Sequence, residues 1–105
     1  MKSVYPNRRK RTREEIVASI LDSARYGATK TRIMYVSFLS YSQLQRYLGI
    51  ALESKLIGLD PKDRKYLITN KGLEYLKRFE ELHGIENSVV TKRKLLAEIL
   101  SSTEG

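Results

Sequence analysis

The feature that most constrains this chain lies near its C-terminal end. Tyr75, Arg78, Leu82, Ile85, Val89, Lys92, Leu96 and Ile99 follow one another at alternating steps of three and four, and six of these eight positions are apolar. Such a heptad pattern predicts a long helix whose stripe packs on a partner. His83-Gly84 followed by Asn87-Ser88 argues for a break, since an interior glycine costs about 1 kcal/mol relative to alanine and Asn or Ser can cap a new helix. The seam favours a continuous or nearly continuous helix over two separate ones. Arg78 and Lys92 either set its register as polar seam residues or turn to solvent.

Upstream, three helices and a hairpin are legible. Thr12 with Glu15 forms a capping box, and Ile16, Val17, Ile20, Leu21 and Ala24 then recur at helical spacing, with Gly27 as the expected C-cap. Thr29 caps a short second helix through TKTRIMYV, with Ile33 and Met34 inward and a turn at Phe38-Leu39. Ser40 with Gln43 repeats the capping-box signature. In the third helix, Leu44, Leu48, Ala51 and Leu52 fall on one face, while Ser42, Gln43, Arg46, Gly49, Ile50 and Glu53 fall on the other. LIGLD and KYLIT read as strands joined by Pro61-Lys62-Asp63-Arg64, where Pro presets φ and Asp63 forms the turn. Thr69 caps the fourth helix.

Charge divides the chain further. Of the formal net charge of +8, residues 1–13 carry +6 through Lys2, Arg8, Arg9, Lys10, Arg11 and Arg13, with no acid among them. Like-charge repulsion and few apolar residues predict that residues 1–11 form a flexible basic arm. Between Asp22 and Glu53 no acidic residue occurs, although Arg25, Lys30, Arg32 and Arg46 do. That stretch is a second basic surface.

Several functions are excluded by composition. Without cysteine there is no disulfide, thiolate nucleophile or thiolate metal site, and His83 is the only histidine. Neither a glycine-rich phosphate loop nor a Ser-His-Asp set is present. The expectation is a non-enzyme with no cofactor, metal or small-molecule substrate. The N-terminal stretch lacks the apolar core of a signal peptide, and no run approaches the roughly 18 apolar residues of a membrane span, so a soluble cytoplasmic protein with no membrane partner is expected.

The order helix, helix, helix, hairpin, helix is that of a winged helix-turn-helix: mainly α with a small β-hairpin, here extended by a long coiled-coil-like helix. Residues 12–72 would form the winged-helix domain and 73–105 a helical dimerisation segment. The sequence also resembles a known family through Lys30-Thr31-Arg32-Ile33-Met34-Tyr35, Leu39-Ser40-Tyr41, Tyr47-Leu48, Leu56-Ile57, Leu67-Ile68-Thr69 and Lys71-Gly72. Across residues 13–83 it is similar to the small archaeal winged-helix DNA-binding proteins, specifically the dimeric crenarchaeal 10a type. That resemblance implies an antiparallel coiled coil joining two winged-helix domains, and a nucleoid-associated protein. Two features depart from the pattern: a terminal helix containing Gly84 and Asn87, and a longer, more basic arm.

The expected function is therefore double-stranded DNA binding by a homodimer, as transcriptional regulator or chromatin-associated protein. A protein-interaction module or an RNA-binding scaffold is the alternative. The third helix would enter the major groove with Ser40, Tyr41, Ser42, Gln43 and Arg46, where Gln pairs bidentately with adenine and Arg with guanine. Lys30 and Arg32, the wing residues Lys62, Arg64 and Lys65, and the arm residues Arg8, Arg9, Lys10 and Arg11 would take phosphates. Tyr75, Phe79, Leu82, Ile85, Val89, Leu96 and Ile99 would form the dimer interface. Tyr47 is expected as a half-buried core residue.

Overall fold

The structure is a computed structural model and describes residues 11–104, so the expectations for Arg8, Arg9 and Lys10 lie outside the described residues. Its elements are α1 (Arg13–Ser23), α2 (Lys30–Val36), α3 (Tyr41–Glu53), β1 (Ile57–Asp60), β2 (Lys65–Ile68) and α4 (Asn70–Glu104). Each helix of the trio starts on a side-chain cap. Thr12 Oγ1 accepts from the Glu15 N–H at 3.0 Å while Glu15 Oε1 accepts from the Thr12 N–H at 2.8 Å. Thr29 Oγ1 accepts from Arg32 N–H, and Ser40 and Gln43 form the second reciprocal box. These caps satisfy amides that a helix start otherwise leaves without partners.

The helix ends differ from expectation. α1 is capped at Ala24, because the Ala24 and Arg25 N–H groups already turn back three residues onto Leu21 and Asp22. Gly27, expected as the cap, comes three residues later and uses φ +92° to redirect the chain. Ala28 can then pair with Tyr66 of β2 through two backbone hydrogen bonds of 2.9 and 2.7 Å. α2 and α3 both end in Schellman motifs whose left-handed residue is not glycine. For α2, Phe38 (φ +54°) donates to Tyr35 O and Leu39 to Met34 O. For α3, Lys55 (φ +62°) donates to Leu52 O and Leu56 to Ala51 O. In each case the following leucine, Leu39 or Leu56, turns into the core.

The core is the meeting of these stripes: Ile16, Val17, Ile20, Leu21 and Ala24 of α1, Ile33 of α2, and Leu44, Leu48 and Ala51 of α3, closed by Ile57 and Leu76. Met34 and Tyr47 pack on it partly buried. Leu52 does not join them. It stands about 100° round the axis from Ala51, at the edge of the stripe, and is exposed.

β1 and β2 form an antiparallel hairpin in the register Ile57 with Ile68 through Asp60 with Lys65. Its tip is organised by Asp60 rather than Asp63. The Asp60 carboxylate accepts from Lys62 N–H at 2.9 Å, and its carbonyl accepts from Arg64, which sits at φ +55°. α4 then begins under the cap of Thr69, whose Oγ1 accepts from Gly72 N–H. The helix runs 35 residues without a break at Gly84. An added Cβ on Gly84 would meet no atom within 4 Å, so glycine there is no packing requirement. Leu76 is buried, and Tyr75 and Phe79 pack on the same core, so the first turns of α4 belong to the domain they leave. From Glu80 to Ser101 every residue is exposed, which gives the molecule its 65 Å long axis.

Candidate nucleic-acid interface

The exposed side of α3 follows from its buried one. With Leu44, Leu48 and Ala51 facing the core, the 100° step per residue puts Ser42, Arg46 and Gly49 outermost. Tyr41 and Gln45 flank them on one side, and Gln43 and Tyr47 on the other. Gln45 escaped the sequence reading, although its place four residues after Tyr41 puts it on the same exposed flank. Among the described residues of α3 no carboxylate occurs until Glu53, at the far end of the helix.

One groove borders that face and a second lies between α2 and the wing, and each gathers cations from distant parts of the chain. On the first flank, Arg11, Ile16, Ser42, Gln43, Arg46 and Tyr47 line an open groove of about 550 Å³. Arg11 is held there: its Nη1 donates to the Ser37 carbonyl oxygen at 2.8 Å, across the turn between α2 and α3. Arg11, the last residue of the expected arm, thus has a backbone partner in the folded domain. Arg46 lies over the ring of Tyr47, 5.4 Å from its centroid, within the range of a cation–π contact.

The second groove, of about 420 Å³, is lined by Lys30, Leu59, Pro61, Arg64 and Tyr66, between the start of α2 and the wing. Lys30 Nζ stands 5.7 Å from the centroid of the Tyr41 ring, which ties the start of α2 to the first turn of α3. Lys62 is exposed at the tip. Lys65 does not share this groove. It alternates to the other face of the hairpin from Tyr66, and its stem approaches Gly27. Arg32 is exposed on α2 and lines neither groove.

The capping box also changes what two of the expected readers can do. Gln43 Oε1 accepts from Ser40 N–H at 3.0 Å, so a bidentate bond to adenine requires opening the cap of α3. Ser40 Oγ accepts from Gln43 N–H and lies 3.4 Å from Ser42 Oγ. Ser42, Gln45 and Arg46 are polar side chains on the exposed side of α3 that take no part in that reciprocal box. The seam residues of α4 divide as well: Leu82, Ile85, Val89, Leu96 and Ile99 are exposed, whereas Tyr75 and Phe79 are half-buried against their own domain. Arg78 turns outward to Glu74 at 2.8 Å. Within the described residues no helix is long and apolar enough to cross a membrane.

Comparison with known proteins bears on this arrangement. A family model described as winged helix-turn-helix matches residues 10–87. The crystal structure of Sso10a-2, a DNA-binding protein from Sulfolobus solfataricus, is similar over 86% of this chain and 97% of that one, with a TM-score of 0.75 and 24% sequence identity. At that identity the likeness concerns the fold. No curated protein matches the chain.

Proposed function

The chain belongs to the winged helix-turn-helix family, and from that premise we propose that it binds double-stranded DNA as a homodimer, as a nucleoid-associated regulator or chromatin protein. The observation that carries this reading is the exposed face of α3, free of carboxylates as far as Glu53, with Arg11 along one side and Lys30 against Tyr41 on the other, Lys30 sharing a second groove with Arg64 of the wing. A helix seated in the major groove meets base edges along its outer face and a phosphate strand on each side, and this distribution of charge matches that demand. The likeness to Sso10a-2, described as a DNA-binding protein, supports the same reading. The residues N-terminal to Thr12 would add sequence-independent affinity through Arg8, Arg9 and Lys10.

The dimer rests on α4. Leu82, Ile85, Val89, Leu96 and Ile99 are between 46% and 64% exposed on a helix that leaves its own core behind. A parallel pairing would set Lys92 against its own copy in the seam. An antiparallel one places Leu82 opposite Ile99, Ile85 opposite Leu96 and Val89 opposite Lys92, each twice by symmetry, with the Lys92 stem on apolar surface and its ammonium outside. In that register Glu86 flanks Arg93 of the partner subunit. The parallel register instead brings Glu81 beside Glu86.

Titration of a fluorescent 20-base-pair duplex tests the function. Affinity should fall steeply between 50 and 200 mM salt, with a log-log slope of about 0.9 per phosphate neutralised. Absence of binding at micromolar protein, or an affinity indifferent to salt, refutes DNA binding.

A further inference from the structure

We propose that Arg11 and Arg46 together grip a single backbone phosphate in the groove between the start of α1 and α3, so that Arg46 reads the DNA backbone and not guanine. The inference rests on the DNA-binding reading above and assigns the chemistry of one of its surfaces. Three observations carry it. The two guanidiniums reach the same groove from residues 35 positions apart in sequence, and among the described residues no carboxylate lines that groove. Arg11 is fixed by its bond to Ser37 O, which uses one of its five N–H donors and leaves the planar fork able to take phosphate oxygens. Arg46 is drawn by the Tyr47 ring toward this flank and away from the centre of the exposed face, where a base edge would lie.

Ser42 completes the site with a hydroxyl on the same groove wall. A phosphodiester seated there would be met by charge from both sides, with contacts that fix the register of α3 on the duplex and carry no sequence information. What remains on α3 for base edges is then Gln45 and the open surface at Gly49. Gln43 is committed to its cap. The consequence is a protein whose α3 contributes affinity with little preference among sequences.

The experiment compares two labelled 20-base-pair duplexes, one rich in G·C and one in A·T, against full-length Arg11→Ala, Arg46→Ala, the double variant and Arg46→Lys across a salt series. Circular dichroism melting runs alongside. Each single alanine variant should lose about tenfold in affinity on both duplexes alike, and the double variant should lower the log-log slope by about 0.9, the value for one phosphate. Arg46→Lys should keep the slope of the parent. Should either alanine variant fail to fold, Arg11→Lys and Arg46→Lys answer the same question, because a phosphate contact predicts equal losses on both duplexes with the slope retained. A loss confined to the G·C duplex overturns the proposal in favour of guanine readout. A fall of about 1.8 in the double variant's slope overturns it in favour of two separate phosphates. In both cases DNA binding itself stands. A parent protein that binds neither duplex removes this proposal and the DNA-binding reading together.

Discussion

Gly72, in the first turn of α4, lies so close to the end of α3 that a Cβ at position 72 would overlap the carbonyl oxygen of Leu56. The same position would press on Ile68 of β2. This contact is what lets α4 leave the wing at an angle that still carries Leu76 into the core, and the Thr69 N–H bond to Leu56 O closes the same corner.

Gly72→Ala should therefore destabilise the protein. Alanine favours a helix by about 1 kcal/mol over glycine, but the obstructing atom is backbone carbonyl and cannot swing aside, and overpacking of this kind costs about 1–3 kcal/mol. A net loss of up to about 2 kcal/mol is expected from the urea midpoint. Gly84→Ala, in open surroundings, should raise stability instead by up to about 1 kcal/mol.

Helix starts were legible in the sequence and helix ends were not, for a physical reason. A Ser or Thr three residues before Glu or Gln is a local signal, complete within four residues, and Thr12 with Glu15 and Ser40 with Gln43 behave as it predicts. A Schellman end announces itself only when glycine takes the left-handed position. Here Phe38 and Lys55 occupy it, and the motif is held by Leu39 and Leu56 reaching the core, which is a tertiary effect. The site follows the same rule. The polar face of α3 was readable from its period, but Arg11 looked like part of a solvated charge run. Its partner is the Ser37 carbonyl, and no sequence pattern reveals where a carbonyl points. The double duty of Gln43 was visible in principle, since the capping residue and the expected base reader are one side chain.

Phe38 offers a direct test of that account. A bulky residue at φ +54° with 87% of its surface exposed is unfavourable in both backbone and solvation. Phe38→Gly should stabilise the domain by about 0.5–1 kcal/mol, visible as a rise of a few degrees in Tm. If stability rises while duplex affinity falls on the same variant, the exposed ring contributes to binding.

Tyr75 should give the protein an alkaline limit. Its hydroxyl donates to the Glu14 carbonyl oxygen at 3.1 Å, and burial, reinforced by the Glu14 charge and opposed by Arg13, raises its pKa above the usual 10. The unfolded chain then loses this proton first as pH rises, so the unfolded state binds fewer protons and stability declines. The contribution is whole below pH 10 and is lost as pH climbs through the folded value. Tyr75→Phe should flatten the difference in urea midpoint between pH 9 and pH 11 relative to the parent. An unchanged pH dependence would assign the alkaline loss to other groups.

The orientation of the proposed dimer is decided by one charge reversal. In the antiparallel register Glu86 lies beside Arg93 of the partner subunit, and Glu86→Arg places like charges together twice per dimer. With about 0.5 kcal/mol of attraction lost and about as much repulsion gained at each of the two pairs, dimerisation should weaken about thirtyfold in sedimentation equilibrium. Adding Arg93→Glu restores opposite charges in that register and should recover the parent affinity. In a parallel coil the outcome reverses, because Glu86→Arg would relieve a repulsion with Glu81 and tighten the dimer. A variant that associates more strongly than the parent therefore excludes the antiparallel arrangement, and a parent that sediments as a monomer at tens of micromolar excludes the dimer itself.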